Sequence, residues 1–417
     1  MHSEVVEKAR EAKSAARVLA SCSTAEKNRA LLLIADALQD KSKQILAANE
    51  TDLDHLKQKP GYTSAFHDRL LLTPERIDGM AGGLREIAAL EDPVGEIEGM
   101  SLRPSGLQIG TVRVPIGVVG IIYEARPNVT VDAAGLTLKS GNAVILRGSS
   151  EAIHSNRALV AIIQEQLAEA GLPKGAVALI EDTDRAAARA MMRLNEYLDL
   201  LIPRGGPSLI SAVIENSTVP VIETGAGNCH IYVDAGADLE NAQAIILNAK
   251  VQRPGVCNAV ETLLVHREAA PGLIPSLVPA LNAQGVEVRG EPASQKFHRK
   301  IMPATREDYE TEFLDLILAV KIVENIEEAI EHINRYGTGH SEAILTADYL
   351  RAREFLAKVD AAAVYVNAST RFTDGNEFGL GAEMGISTQK LHARGPMGLK
   401  ELTTLKYIIY GEGQIRP

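Results

Sequence analysis

Cys257 occupies the position in this chain that is best suited to nucleophilic chemistry. It follows a Pro-Gly turn in the segment 252–258, which reads QRPGVCN. A thiol at a loop tip can face backbone N–H groups, which help to keep it as the thiolate that attacks carbon. The alternative is a buried cysteine that acts only as a small apolar residue. Cys22, between two amphipathic helical stretches, and Cys229, at the start of an apolar strand, fit that alternative, whereas the turn before Cys257 favours a nucleophile.

An acidic residue upstream, Glu223, opens a glycine-rich turn that reads ETGAGN at 223–228. The strand-like residues 219–222 lead into this turn. A carboxylate is rarely found in such a place unless its charge is used. We expect Glu223 either to move protons for the thiol and its adducts or to organise the turn.

The composition limits the class of protein. With 417 residues the chain is long enough for two or three domains. Its three cysteines indicate a reducing compartment, and the first 30 residues have an amphipathic helical pattern instead of a signal peptide. We therefore expect a cytoplasmic protein. Because 43 basic and 54 acidic side chains leave a formal charge of −11, we expect neither nucleic acid nor a membrane as a partner.

Strand and helix patterns alternate between residues 117 and 233, which is typical of a parallel sheet with helices on both faces. Strands are predicted at 117–123, 143–146, 177–180, 198–202 and 219–222, and helices at 129–139, 151–170, 185–194 and after Pro207. The pattern restarts after Asp234, with a helix at 239–250, a strand at 261–265 and a helix at 326–335. The predicted fold class is α/β, with two parallel α/β domains.

Two further segments, 100–114 and 402–410, look like strands without helical cover. Such strands need a pairing partner, so we expect a hairpin and a tail that join a subunit interface. The predicted oligomerisation strands are residues 100–116 and 391–417. Symmetric pairing permits a homo-oligomer that is a dimer or a tetramer.

Asn128 is a second candidate site residue. It follows Arg126 and Pro127 just beyond the strand that ends at Tyr123, at the carboxyl edge where open α/β sheets bind ligands. Asn is also a preferred helix N-cap, and spacing alone favours that structural role.

Together, Cys257, Glu223 and the Pro-Asn pair resemble the aldehyde dehydrogenase superfamily. The segment 323–344, VENIEEAIEHINRYGTGHSEAI, contains the helix, the Tyr-Gly turn and the strand that its members share. The two histidines and the Gly-His-Ser-Glu turn resemble a branch that reduces an acyl phosphate. The resemblance covers essentially the whole chain and implies an aldehyde dehydrogenase-like fold with a β oligomerisation hairpin and tail. It assigns residues 1–99 and 117–228 to a dinucleotide-binding domain and residues 229–390 to a catalytic domain.

The resemblance implies NADPH-dependent reduction of L-glutamyl 5-phosphate to L-glutamate 5-semialdehyde, the second step of proline biosynthesis. Cys257 would form a thioester as phosphate leaves, and the Asn128 amide would donate to the oxyanion. Glu312, in a Glu-x-Phe segment, would hold the nicotinamide ribose. In hydrolytic superfamily members the counterpart of Glu223 activates water, a step that would waste the product here. The alternatives are a hydrolytic aldehyde dehydrogenase and a catalytically silent scaffold with the same fold.

The same resemblance points to a cofactor site after the strand 143–146. Arg147 fills the basic position that contacts the adenosine ribose in the superfamily, and Ser149 and Ser150 follow it. Because the planar fork of arginine suits a phosphate, NADP(H) is the expected cofactor. The alternative is that Arg147 only faces solvent. If the match to the superfamily is shifted by one residue, Glu151 occupies the position of an acid that bonds the ribose 2′-hydroxyl in some members, and NAD would be favoured.

A glycine-led loop contains Gly205, Gly206 and Ser208 between a strand and a helix. Backbone N–H groups at a helix N-terminus bind phosphate, so these residues are further cofactor candidates. Ordinary tight turns have the same pattern, so the signal is weak.

Recognition of the α-amino and α-carboxylate groups of a glutamyl substrate needs an acidic and a basic partner. The candidates are Glu124, Arg126, Arg371 and Arg394, among which the sequence does not choose. Because acyl phosphates hydrolyse readily, the resemblance also implies an association with glutamate 5-kinase, which makes the substrate.

His332 and His340 have a less specific interpretation. Their spacing is not that of a helical metal pair, and no third ligand stands near them in the sequence. We predict structural histidines and no metal.

Overall fold

The structure is a computed structural model that describes residues 3–59 and 63–416. It divides into two compact units. The first unit is Met1–Thr224, Gly379–Gly385 and Met397–Pro417, and the second is Gly225–Phe378 and Ile386–Pro396. The division at residue 224 falls inside the glycine-rich turn that begins at Glu223.

The first unit starts with five helices and continues with alternating strands and helices. Its elements are α1 Ser3–Leu19, α2 Thr24–Asp40, α3 Ser42–Lys57, α4 Ser64–Leu70, α5 Pro74–Ala89, β1 Ile97–Leu102, β2 Gln108–Pro115, β3 Val118–Tyr123, α6 Pro127–Lys139, β4 Ala143–Arg147, α7 Ile153–Glu169, β5 Val177–Leu179, α8 Arg185–Met191, β6 Leu200–Arg204 and α9 Pro207–Asn216. Four strands form a parallel sheet in the order β5-β4-β3-β6, as predicted. Every residue of β3 is buried, as expected of a strand with helices on both faces.

One predicted strand of this unit is wrong. Residues 219–222 form only a single parallel bridge, Val221 to Leu201, instead of a strand. Pro220 has no N–H to donate to a ladder, although its carbonyl accepts from Leu201 N at 2.8 Å. The predicted helix at 151–170 also begins differently, with a 3₁₀ turn at Ser150–Ala152 before α7.

The second unit contains a larger parallel sheet. Its elements are β7 Cys229–Val233, α10 Leu239–Val251, β8 Val260–His266, α11 Ala270–Ala283, β9 Glu287–Gly290, α12 Pro292–Gln295, β10 Met302–Pro303, β11 Ile317–Val323, α13 Ile326–Tyr336, β12 Ser341–Leu345, α14 Tyr349–Lys358, β13 Ala363–Val366, β14 Ile386–Ser387 and β15 Gly395–Pro396. Seven strands lie in the order β10-β9-β11-β8-β7-β12-β13, all parallel. The central strands β7 and β8 are completely buried, and the segment that contains Cys257 leads into β8.

The last strand of the chain, β16 Thr403–Tyr410, belongs to the first unit. It pairs antiparallel with β2, which pairs antiparallel with β1, to give a three-stranded sheet. The predicted hairpin and terminal strand are thus present and pair with each other. Of the helices in residues 3–59 and 63–416, none combines the length and apolar character needed to cross a bilayer.

Candidate active site

Cys257 lies in the turn between α10 and β8, where its side chain is half-buried. Two residues pack against its backbone carbonyl. The Cys229 thiol donates to that oxygen at 3.1 Å, and a Cβ atom added to Gly227 would lie 1.5 Å from it. The glycine-rich turn and the nucleophile loop therefore approach more closely than any side chain at position 227 would permit.

We expect Gly227→Ala to destabilise the protein by at least about 3 kcal/mol, the upper part of the range for overpacking, because the clash is with backbone and no side-chain rotation relieves it. Urea denaturation of wild type and variant measures this loss. Gly236→Ala is the matched control in the same unit, since an added Cβ there meets nothing within 4 Å. Equal stability of the two variants would contradict the close approach.

The turn at 225–228 is held from the opposite side by Glu312. Its Oε1 accepts from Gly227 N at 2.8 Å. Burial raises the pKa of Glu312, and the Gly227 hydrogen bond opposes that rise. Asn228 fixes the end of the turn, since its Nδ2 donates to the carbonyls of Tyr309 and Tyr336 at 2.8 Å each. Glu312 thus has a structural role here, and its contact with a nicotinamide ribose stays a prediction.

The two arginines predicted from the late part of the chain have different surroundings. Arg371 donates from Nε to Gln252 Oε1 at 2.8 Å and from Nη1 to Asn258 Oδ1, the two ends of the Cys257 loop. Arg394 instead forms an ion pair with Asp360 at 2.7 Å. Of these two residues, only Arg371 is bonded to the nucleophile segment.

In the first unit, Asn128 is exposed and is the second residue of α6. The N-cap is Arg126, whose side chain makes no capping bond, so the N-cap interpretation of Asn128 is wrong. Its Nδ2 donates to Asp132 Oδ2 one helical turn later at 3.1 Å. Burial raises the pKa of Asp132 to about 6, against the opposing effects of this hydrogen bond and the charge of Arg204. Asp132 was not among the predicted site residues, although its spacing of four residues from Asn128 is a helical signal.

Glu124, which follows β3, is bonded to the glycine-led loop. Its Oε1 accepts from Gly206 N at 2.8 Å, and a Cβ atom on Gly205 would lie 2.6 Å from the Glu124 side chain. The glycines are therefore needed for the approach of a carboxylate from the same unit. One N–H at the start of α9, which was predicted to contact a cofactor phosphate, is bonded to Glu124 in this structure.

The segment after β4 contains unsatisfied polar atoms. Arg147 donates from Nη2 to Thr183 O at 2.7 Å, but its Nε and the Ser149 hydroxyl are buried without a hydrogen-bond partner among the described residues. Lys59 lies against the same segment, with Nζ 2.7 Å from Glu151 Oε1 and 3.5 Å from Ser150 Oγ. Although burial opposes ionisation of Glu151, Lys59 helps to lower its pKa. No pattern in the sequence connects Lys59 with this turn.

The remaining predicted residues are placed as follows. Glu223 is half-buried beyond the bridge at Val221, and Arg126 is exposed. The first unit holds Glu124, Arg126, Asn128, Arg147, Ser149, Ser150, Gly205, Gly206, Ser208 and Glu223, and the second holds Cys257, Glu312, Arg371 and Arg394.

The histidines of the segment 323–344 are in the core. Burial lowers the pKa of His332 to about 3 and that of His340 to about 4, so both are neutral near pH 7. His230, the histidine of β7, lies 3.1 Å from the buried Glu342 carboxylate. These contacts agree with a structural role, and the absence of a metal stays a prediction.

Comparison with known proteins agrees with this architecture. The model of the aldehyde dehydrogenase family matches residues 1–296 and 307–408. The gamma-glutamyl phosphate reductase of Moorella thermoacetica is 62% identical over 99% of each chain, and that of Heliobacterium modesticaldum is 62% identical over 100% of each. The crystal structure of gamma-glutamyl phosphate reductase from Thermotoga maritima is 52% identical, covers 100% of both chains and has a TM-score of 0.97. This chain therefore belongs to the aldehyde dehydrogenase family, and within it to the gamma-glutamyl phosphate reductases.

Proposed function

We propose that this protein reduces L-glutamyl 5-phosphate to L-glutamate 5-semialdehyde with NADPH and releases phosphate, the second step of proline biosynthesis. One observation carries the proposal: full-length relatives of 62% identity are named gamma-glutamyl phosphate reductase.

The proposed reaction begins at Cys257. Its thiolate adds to the acyl carbon, and collapse of the tetrahedral adduct breaks the bond from carbon to the phosphate oxygen, which leaves a thioester and inorganic phosphate. Reduction of the thioester gives the oxyanion of a thiohemiacetal, which collapses to the aldehyde and the Cys257 thiolate, while the one proton that the overall reaction consumes is taken up by the departing phosphate. Each tetrahedral adduct carries an oxyanion, for which we propose the Asn128 amide and the Cys257 N–H as donors, at about 2.7–4 kcal/mol for one such donor.

The cofactor fits the segment after β4. Arg147 Nε and the Ser149 hydroxyl are buried polar atoms without a partner among the described residues, as expected where a ribose or phosphate binds. NADPH, when bound, supplies the hydride that reduces the thioester carbon. We propose that Arg147, Ser149 and Ser150 hold its adenosine end, with Lys59 near the 2′-phosphate, and that Gly205, Gly206 and Ser208 contact the pyrophosphate, which requires Glu124 to release the Gly206 N–H.

Lys59→Gln is expected to raise the KM for NADP by roughly tenfold or more and to leave the KM for NAD unchanged, because only NADP carries a 2′-phosphate. Titration with each cofactor checks this. Lys57→Gln removes the same charge two residues away, where Lys57 pairs with Asp54 at 2.9 Å, and should change neither KM. An equal rise in the KM for NADP and in the KM for NAD would exclude the 2′-phosphate as the partner of Lys59.

We expect kcat to rise with pH through about 6. The pKa of Asp132 lies near that value, and its ionised carboxylate is the better acceptor for the Asn128 amide. Asp132→Asn should therefore abolish the rise while it retains a polar group of the same size. A pH profile of kcat for the wild type and Asp132→Asn tests this. If kcat of the variant still rose through about pH 6, the titrating group would be another residue.

For Glu223 we propose proton transfer to or from the thiol and its adducts, together with organisation of the following turn. Hydrolysis of the thioester would consume the intermediate without giving the semialdehyde. Of the candidates for the α-amino and α-carboxylate groups, Glu124 already accepts from Gly206, and Arg126, Arg371 and Arg394 are the basic residues.

The test of the proposed function is reduction of NADP with L-glutamate 5-semialdehyde, with and without inorganic phosphate. Turnover that requires phosphate is the expected result. Turnover without phosphate would indicate a hydrolytic aldehyde dehydrogenase, and no turnover with any aldehyde would indicate a silent scaffold.

We also propose that the sheet formed by β1, β2 and β16 mediates a homo-oligomer. Several apolar side chains on its outer strands are exposed, which is unusual unless a partner covers them. These residues are Ile97, Met100, Leu102, Leu405, Tyr407 and Ile409. Light scattering would distinguish the dimer or tetramer from a monomer.

A further inference from the structure

The guanidinium of Arg371 bridges the two ends of the nucleophile loop. Gln252, which it meets through Nε, directly follows α10, and Asn258, which it meets through Nη1, is the residue after Cys257. The guanidinium is thus bonded directly to the segment that presents the thiol.

Reciprocal bonds hold this arrangement rigid. Asn258 is buried, and its Nδ2 donates to Thr373 O at 2.8 Å. The Thr370 hydroxyl donates to Asn258 O at 2.7 Å. Arg371 therefore lies in a short turn that is fixed on both sides, and little rotamer entropy is lost when its guanidinium binds a ligand.

Part of the guanidinium is still available for a ligand. Among the described residues, no hydrogen-bond partner of Arg371 Nη2 is found, while Nε and Nη1 are bonded to the loop. The Nη1 and Nη2 atoms form an edge that can bind two oxygens of one anion. Such an edge beside a nucleophile suits a carboxylate or a phosphate.

The local charge also favours an anion. Burial lowers the pKa of Arg371, and the charge of Arg253, which is exposed in the same loop as Cys257, lowers it further. The charges of Asp374, Cys257 and Cys229 raise the pKa of Arg371 and so partly oppose these effects. Two arginines thus lie near the nucleophile, and a bound dianion would relieve their mutual repulsion.

We propose that Arg371, assisted by Arg253, binds the phosphate of the acyl phosphate and of inorganic phosphate in the reverse reaction. The inference rests on the proposed function. The phosphate is attached to the carbon that Cys257 attacks, whereas the α-carboxylate is at the far end of the glutamyl chain. A group bonded to the residue after Cys257 is therefore placed for the phosphate, and the α-carboxylate is left to Arg126 or Arg394.

The experiment measures semialdehyde oxidation by NADP, with phosphate varied at saturating semialdehyde and then semialdehyde varied at saturating phosphate. Arg371→Gln should raise the KM for phosphate by about ten- to a hundredfold and change the KM for semialdehyde less than about twofold. Arg371→Lys should restore part of the phosphate affinity, because it keeps the charge and loses the fork. Arg253→Gln should have a smaller effect in the same direction.

A second readout does not depend on turnover. Inorganic phosphate should slow alkylation of Cys257 by iodoacetamide in the wild type and should not do so in Arg371→Gln. Arg267→Gln is the control, because it removes one exposed arginine of the same unit that pairs with Glu324 at 2.5 Å. It should match the wild type in both assays.

The other outcomes would overturn the assignment. An increase in the KM for semialdehyde alone would make Arg371 a carboxylate site. Slower alkylation of Cys257 with both KM values unchanged would leave Arg371 only a positioning residue for the loop. If turnover of the wild type did not depend on phosphate, the proposed function itself would be refuted. Failure of the Arg371 assignment and failure of the proposed function are therefore distinguishable.

Discussion

Replacement of Cys257 by alanine is expected to lower kcat for the reduction of glutamyl 5-phosphate by at least about 10⁴-fold, as removal of a nucleophile does in other covalent enzymes. Without the thiol no thioester forms, and direct reduction of the acyl phosphate lacks both the covalent intermediate and its oxyanion geometry. Cys257→Ser should lose nearly as much, because a hydroxyl is far less acidic than a thiol. Steady-state assays in both directions measure the loss.

The control for this variant is Cys22→Ala. Cys22 lies between α1 and α2, and within the described part of the chain its thiol donates only to Val18 O, at 3.4 Å. Its removal should leave kcat within about twofold of wild type. Mass spectrometry of the wild type with semialdehyde and NADP, but without phosphate, should show a glutamyl adduct on Cys257. More than a tenth of the wild-type kcat in Cys257→Ala would end the assignment of this residue as the nucleophile.

The fold class was predictable because many of the strands and helices have a local signal. The alternation from 117 onward gave the parallel sheet, and the buried run at 118–123 is its central strand. The error at 219–222 has a local cause, since Val219 to Ile222 has the apolar pattern of a strand but Pro220 cannot donate to a ladder.

The candidate site was less predictable, because its contacts join residues that are distant in sequence. Cys257 was recognisable from the turn before it, but its neighbours Gly227 and Cys229 were not. Lys59 is 91 residues from Ser150, and no periodicity connects them. Arg371 was a candidate from its type alone, and its bonds to Gln252 and Asn258 depend on the tertiary packing of the second unit.

The second unit also contains a buried ion pair that no pattern predicted. Lys250, near the end of α10, and Glu261, in β8, are 2.5 Å apart, with both side chains fully buried. The other oxygen of Glu261 accepts from Leu314 N at 3.1 Å, and Leu314 has a left-handed backbone with φ of 53°. Because Leu314 is two residues from Glu312, which holds Gly227, the pair supports the loop against which the nucleophile packs.

Burial acts on both partners of this pair. It raises the pKa of Glu261 to about 7 in spite of the attraction of Lys250, and it lowers the pKa of Lys250. Each charge is therefore tolerated in the core only because the other is present. Removal of one partner leaves an uncompensated buried group.

Lys250→Met should consequently destabilise the protein by about 3–5 kcal/mol at pH 8, measured by urea denaturation. In Lys250→Met the attraction that opposes the rise in the pKa of Glu261 is lost, so that pKa lies further above its unfolded value and the variant loses more stability than the wild type as pH rises to 8. The loss should therefore be smaller at pH 5 than at pH 8.

The double variant Lys250→Met/Glu261→Gln separates charge from packing, because glutamine keeps an oxygen for Leu314 N but carries no charge. The double variant should regain at least half of the lost free energy of unfolding. This site should then contribute no pH dependence of stability between pH 5 and 8. Lys358→Met is the exposed control, since its pair with Glu354 on the surface of α14 is screened by solvent and should contribute little to stability. If the single variant were as stable as this control at pH 8, the charges of Lys250 and Glu261 would not depend on each other, and the nucleophile loop would need a different support.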